Sequence, residues 1–341
     1  MDSITQAVLG AAIGQAGFRK LGRRASAFGV FCGLFPDFDI VLGGGDPWRG
    51  LVTHRGSSHS LLVLPVLAVP IGWLGWRVLG RRGSPKTWIH LAFWALITHP
   101  LLDVFTTYGT QLLAPITRAR FAWDGVSIVD PIYTVPLLVA AGIGLRKATA
   151  DARAARLARA ALLWGVAYLG LGVAWSAQAG ATFGAQLDAI GFEPVAMRTP
   201  VPFFNPLLRH GVARDARGRI AVSTVVPWDP SATVPVVVDS AQGERVQAAL
   251  ASERGALLRW FANDYLTVTE LDDGALLFRD HRYGMMRDPT QTPFQSRLPA
   301  DAAPADIRRG HRPGNRDFDP GAELSYGWGL VFGERGPPAA L

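Results

Sequence analysis

Apolar residues run almost unbroken through two stretches of the first 180 positions, Ser60–Leu79 and Ala160–Ala177. At about 1.5 Å per helical residue each is long enough to cross a hydrocarbon layer. Pro65 and Pro70 predict kinks in the first. Thr87–Phe105 has the same character but carries His90, His99 and Asp103, and Val129–Leu145 opens on Asp130-Pro131, which suits a helix start. Ile4–Phe18 and Ala25–Leu42 are weaker, and their length and Gly content predict short, re-entrant or tightly packed helices.

Past residue 180 the pattern becomes that of a soluble α+β domain. A hairpin is predicted for His210–Ala213 and Arg219–Val226 around Asp215-Ala216-Arg217-Gly218, and a second for Tyr265–Thr269 and Ala275–Phe278. Thr233–Val238 reads as a strand, Glu244–Phe261 as a helix and Tyr326–Phe332 as a closing strand. Pro200–Pro206 reads as a rigid entry segment and residues 294–318 as a loop or linker. Arg279-Asp280-His281-Arg282-Tyr283-Gly284 reads as a solvated strand end. The expected fold is mainly α: a multi-pass transmembrane helical bundle over residues 1–180, which carries the metal site, then a small extracytoplasmic α+β domain with antiparallel strands over 181–341.

Composition agrees with this division. Charged residues make up 18% and hydrophobic ones 49%, with a mean hydropathy of +0.19; an ordinary soluble domain has about 25% charged residues. A large soluble helical core is the alternative, but the first 180 residues offer too few polar side chains to cover one. A cleaved signal peptide is not expected, because the basic cluster follows the first apolar run instead of preceding it. Cys32, the single Cys, has no intrachain disulfide partner.

The net charge of +7 divides into +9 for residues 1–180 and −2 for the rest. The basic residues cluster at Arg19/Lys20/Arg23/Arg24, at Arg77/Arg81/Arg82/Lys86 and at Arg146/Lys147/Arg153/Arg156/Arg159, every second junction between apolar segments. The positive-inside rule places all three in the cytoplasm. Residues 36–59, 103–130 and those after about 178 then face outward. Basic clusters that separate apolar runs do not make a nucleic-acid surface, and no nucleic-acid partner is expected.

The outward junctions carry the candidate chemistry. His99 and Asp103 are four apart and share a helix face; near the hydrocarbon edge an unpaired carboxylate is costly, and a cation resolves that cost. An Asp–His pair that only packs the helix is the alternative. His54 and His59 flank Arg55-Gly56-Ser57-Ser58, so a short turn holds two imidazoles toward one cation, with Ser57 or Ser58 as a cap for the following helix. Arg55 is the natural partner of an anion such as phosphate. Asp37 and Asp39 place two carboxylates together, either to bind a cation or for one to orient a histidine. Asp124 and Asp130 join the set, with helix capping as the competing role for Asp130. Mixed imidazole and carboxylate ligands without thiolate suit Zn²⁺, with Mn²⁺ or Mg²⁺ as alternatives, in a site of one or two ions. HExxH, Walker and Gly-x-Ser-x-Gly motifs are absent, which removes support for those hydrolytic and nucleotide chemistries.

Met1-Asp2-Ser3-Ile4-Thr5-Gln6-Ala7, Pro36-Asp37-Phe38-Asp39, His54–Ser60, His99–Asp103 with Thr106–Thr110, Phe121–Asp124 and Ile128–Pro131 together resemble the membrane-bound, LexA-regulated metal-dependent hydrolases of the YdjM type. The His-x4-His and His-x3-Asp elements are also distantly similar to zinc-dependent phospholipase C and P1-type nucleases, which would make His59, His99 and Asp103 ligands with Asp37 or Asp39 ligating or bridging. That superfamily uses more histidines than residues 1–180 contain.

The combined expectation is a bacterial inner-membrane hydrolase in which metal-activated water attacks a phosphoester of a lipid-like substrate at the outer interface. The expected ligands are Asp37, Asp39, His54, His59, His99 and Asp103, with Arg55 and Asp124 in catalysis. The lipid bilayer and an amphiphilic phosphorylated substrate are the expected partners, and the oligomeric state stays open. A non-enzymatic membrane protein, for metal transport or envelope stress, is the rival; transport predicts polar residues continuing through the bundle, a surface hydrolase predicts them at one end.

Overall fold

The computed structural model describes residues 1–42, 45–146, 152–203, 205–309 and 319–334. Lys147 of the third basic cluster, Phe204 of the Pro-rich entry segment and residues 310–318 lie outside the described residues. The chain forms two compact units, Met1–Val173 and Ala174–Leu341.

The first unit is helical. Helix α1 (Ser3–Phe18) starts where the Asp2 carboxylate accepts from the Ile4 and Thr5 amides, and α2 (Arg23–Leu34) lies against it. Their contact is backbone on backbone: a Cβ added at Gly10 would stand 2.0 Å from the Gly29 carbonyl oxygen, and one at Gly33 2.4 Å from that of Gln6. Only hydrogen at these positions lets the axes come so close. Pro36 has no amide hydrogen with which to extend α2, and the chain tightens into a 3₁₀ turn, Phe35–Phe38, before α3 (Asp39–Leu42). The expected single segment Ala25–Leu42 is therefore broken at the Asp37/Asp39 pair.

After α4 (Pro47–Thr53) and a 3₁₀ turn at Ser57–His59 come α5 (Val63–Val78) and α6 (Pro85–Asp103), then α7 (Pro131–Arg146) and α8 (Ala152–Ala189). Helix α5 is shorter than the apolar run predicted, because its first residues are used in turns: Ser60 Oγ donates to the Ala114 carbonyl and accepts from the Leu62 amide. Ser58 does not cap it either; its hydroxyl donates to Asp39. Among the described residues, α8 is the one helix both long and apolar enough to span a membrane, and a second span arises if Pro47–His59 and Val63–Val78, bent by 69°, count as one. The buried core joins α1, α2, α5, α6, α7 and the first half of α8, with Trp88, Leu91, Leu96 and Leu137 fully enclosed.

The basic residues gather at one end of this unit. Arg23 donates to the carbonyls of Leu145 and Arg146, Arg159 donates to that of Ala16, and Gly80 lies against the Arg24 guanidinium. Cations beside helix C-termini are favoured there by the last, unpaired carbonyls. The opposite end holds the start of α1, the end of α2, the turn before α5, the end of α6 and the start of α7, where the Asp2 amide donates to the Ile128 carbonyl.

In the second unit, β1 (Ala196–Arg198), β2 (Arg209–Arg214), β3 (Ile220–Val225) and β4 (Val236–Val238) form an antiparallel sheet in that order. The predicted hairpin is β2–β3, with Arg214 opposite Ile220. Both faces are buried: Ala213, Ala221 and Val225 meet Ala179, Phe183 and Leu187 of α8, while Val212, Ile220 and Val222 pack with Tyr265. Helices α9 (Glu244–Ala251) and α10 (Glu253–Ala262) replace the single helix expected, since Ser252 leaves the helical region to cap α10. A second antiparallel sheet follows, β5 (Leu266–Glu270), β6 (Leu276–Asp280), β7 (Gln295–Leu298) and β8 (Arg308–Arg309).

Three expectations fail here. Residues 295–298 and 308–309 of the supposed linker are strands, and the supposed closing strand is helix α11 (Pro320–Val331), started by Asp319 accepting from the Gly321 and Ala322 amides. The 279–284 cluster is also not a solvated strand end: Asp280, His281 and Arg282 are buried, Arg282 paired with Asp280 at 2.6 Å and lying over the Phe261 ring. Burial, with His210 beside it, pushes the His281 imidazole down to about 3, so it is neutral at ordinary pH.

Candidate metal centre

Four side chains meet at the end of the helical unit away from the basic residues. Asp37 comes from the turn that ends α2, His59 from the turn before α5, and His99 and Asp103 from the last turn of α6. One ligand atom from each lies within 4.8 Å of the other three. His59 Nε2 is 3.0 Å from His99 Nε2. Asp37 Oδ1 is 3.4 and 3.3 Å from these two nitrogens, and Asp103 Oδ2 is 3.4 and 3.5 Å from them. His59, His99 and Asp103 have no exposure, whereas the Asp37 side chain keeps 16%, so Asp37 marks the open side.

Hydrogen bonds behind the ring nitrogens decide what the centre can hold. His99 Nδ1 is 2.6 Å from the Gly33 carbonyl oxygen, which only accepts, so Nδ1 carries the hydrogen and Nε2 presents a lone pair inward. His59 Nδ1 faces the Asp39 carboxylate at 3.3 Å and the Ser58 hydroxyl at 3.0 Å, which turns its Nε2 inward too. Asp103 Oδ1 takes hydrogen bonds from Gln6 Nε2 and the Met1 amine and pairs with Arg55 Nη2 at 3.2 Å, while Oδ2 has no hydrogen-bond partner among the described residues. Two imidazole nitrogens and two carboxylate oxygens converge here, all of them acceptors once His59 gives up its Nε2 proton. That donor set fits a divalent metal ion.

Asp39 is committed differently. Its Oδ1 faces His54 Nδ1 at 2.9 Å, and its Oδ2 accepts from the Arg55 amide at 3.0 Å and the Ser58 hydroxyl at 2.5 Å. Burial would raise its carboxyl, but the donors from His54 and His59 outweigh that and hold it well below the usual carboxylate range. Burial likewise opposes charge on His59, yet its contacts with Asp103, Asp37 and Asp39 push its pKa up to about 10.

Four of the six residues expected as ligands are thus brought together. Asp39 and His54 stand just behind them, hydrogen-bonded to each other. Arg55, expected to face a substrate anion, has Nη1 on Thr106 and Nη2 on Asp103, and its guanidinium lies over the Tyr108 ring. Asp124 is buried in the loop after α6 with a left-handed backbone, and is not one of the converging four. Asp130 caps α7 by accepting from the Ile132 and Tyr133 amides, and takes the Tyr168 hydroxyl at 2.9 Å. His90 is exposed on α6, away from the cluster. Gln6 and the Gly33 carbonyl escaped the sequence reading, although a glutamine on an apolar helix is itself a sign of a buried polar contact.

The fold and the cluster define a membrane-associated helical protein with a buried Asp/His/His/Asp site suited to a divalent metal. Residues 1–179 match the model of the YdjM inner membrane protein family, and the chain belongs to that family. It is also 28% identical over 111 residues to the uncharacterized protein YfhP of Bacillus subtilis, covering 32% of this chain and 33% of that protein, so the chain matches about a third of that relative's length. No solved structure matches. The expected likeness to phospholipase C and P1-type nucleases has no support beyond the His and Asp spacing itself.

Proposed function

We propose that the protein is a multi-pass inner-membrane, metal-dependent hydrolase acting on a phosphoester of a lipid-like substrate. The observation that carries this reading is the 3.0 Å approach of two imidazole Nε2 atoms, His99 pinned by the Gly33 carbonyl and His59 by Asp39, beside the donor-less Oδ2 of Asp103. Asp37, His59, His99 and Asp103 would hold the ion, Zn²⁺ first and Mn²⁺ or Mg²⁺ as alternatives. When bound, such an ion lowers the pKa of water and polarises a phosphoryl oxygen. Arg55, Gln6 and the Met1 amine occupy Asp103 Oδ1 and so leave Oδ2 for the ion. Asp124 has no step in this reading.

Charge placement supports an outward-facing site. The basic ends of the helices lie opposite the cluster, and the positive-inside rule puts the basic end in the cytoplasm. Exposed apolar side chains on α5 (Val66, Val69, Leu74), α7 (Val135, Val139) and α8 (Leu163, Val166) suit a lipid environment for several helices and not for α8 alone. Phe38, Ile40 and Val41 are exposed beside the Asp37 and Asp39 pair, which favours a substrate with a hydrocarbon portion.

The test is elemental analysis of the detergent-purified full chain. The wild type should carry about one or two equivalents of a divalent metal, and His59→Ala and Asp103→Asn should lose it. Unchanged metal in both variants would overturn the ligand set. Metal-loaded protein should then release phosphate or a phosphorylated head group from phospholipid or isoprenoid phosphate micelles. Metal binding without turnover, with ion flux in vesicles instead, would favour the transport reading.

A further inference from the structure

His54 holds a position the metal reading leaves unused. Its Nδ1 is 2.9 Å from Asp39 Oδ1, a carboxylate oxygen that accepts there, so Nδ1 carries the hydrogen and Nε2 a lone pair. Nε2 has no hydrogen-bond partner among the described residues, and the side chain keeps 22% exposure, against none for His59. The His54 and His59 rings meet edge to face with centroids 5.8 Å apart, and the Tyr108 ring closes the other side of His54 at 5.4 Å. One carboxylate thus orients two imidazoles for different tasks. Asp39 turns the Nε2 of His59 into the cluster and leaves the Nε2 of His54 reachable beside it.

We infer that His54 is not a ligand but the residue that carries the proton in hydrolysis, oriented by Asp39. This rests on the phosphoester reading above. In the step, the water oxygen forms a bond to phosphorus and the phosphorus bond to the ester oxygen breaks. The proton shed by the water moves to His54 Nε2, and from there to the departing ester oxygen. Water and phosphoester become phosphate and alcohol, and His54 ends neutral as it began. A carboxylate-oriented imidazole with a reachable Nε2 is the arrangement such a transfer needs.

The experiment uses the full chain in detergent, with Zn²⁺ or Mn²⁺ as the binding probe and two ester probes. Lysophosphatidic acid has an alkoxide leaving group that requires a proton; p-nitrophenyl phosphate has one that does not. His54→Ala and His54→Gln should bind metal with wild-type affinity, whereas His59→Ala should not. Both His54 variants should lower kcat for lysophosphatidic acid by about 10²–10⁴-fold with KM unchanged, and that for p-nitrophenyl phosphate by a smaller factor. Loss of metal in the His54 variants would make His54 a ligand and overturn the inference. Wild-type kcat in them, or an equal fall on both esters, would overturn it too. A metal-loaded wild type that turns over neither ester sinks the phosphoester reading itself, and this inference with it.

Discussion

Asp37 and Asp39 are two residues apart and look equivalent in the sequence, yet the structure gives them opposite surroundings. Asp37 faces two imidazoles, while Asp39 is covered by an amide, a hydroxyl and two ring nitrogens. The sequence could show that carboxylates and imidazoles converge, but not which oxygen would be left without a donor, because that depends on Gly33, Gln6 and Ser58 arriving from other segments. His59 yields a pH prediction. Without a metal ion its imidazole stays protonated up to about pH 10, against 6.5 ordinarily, so an incoming ion displaces a proton. Calorimetric titration in buffers of different ionisation heat should show that release. Metal affinity should rise about tenfold per pH unit between 7 and 9 and level off above 10. For folding of the metal-free chain the sign is reversed: the stabilisation from charged His59 is complete below 6.5 and is lost as pH climbs through about 10.

The helix pair α1–α2 links packing to the centre. Gly33 has no room for a methyl group beside the Gln6 backbone, and its own carbonyl fixes the His99 ring. Gly33→Ala should lower stability by about 1–3 kcal/mol through overpacking and weaken metal binding as well, as read by thermal melting and metal content together; a destabilised variant with intact metal affinity would separate the two roles. Asp130→Ala makes the converse case. It removes the cap of α7 and should cost about 1 kcal/mol while metal content stays at the wild-type level; loss of metal would mean that Asp130 does more than cap the helix. Most helices were legible from apolar runs and their caps, α1, α6 and α7 to within a few residues. The end of α2 and the start of α5 were not, since Pro36 stops the first early and the Ser60 hydroxyl contacts delay the second. In the second unit the β2–β3 and β5–β6 hairpins were readable from their turns, whereas Tyr326–Phe332 misled because its aromatic and aliphatic residues suit either strand or helix, and only the Asp319-Pro320 start, ahead of the apolar run, distinguishes them.

For the whole chain, the separation of basic residues from the cluster makes topology measurable. Cys32 is buried and is the single cysteine, so Cys32→Ala gives a background for placing one reporter thiol at a time. In intact cells a membrane-impermeant maleimide should label Val41→Cys and leave Arg81→Cys unlabelled until the membrane is opened. Labelling of both from outside, or of Arg81→Cys alone, would reverse the orientation proposed here.

The four converging residues belong to three stretches far apart in the chain, at 37, 59 and 99–103. An ion they shared would act as a rivet between these segments, added to the hydrogen bonds that already join them. Whatever binds the folded form alone adds stability that grows with its free concentration, so chelating buffers used in purification would soften the very corner of the molecule that later assays set out to measure.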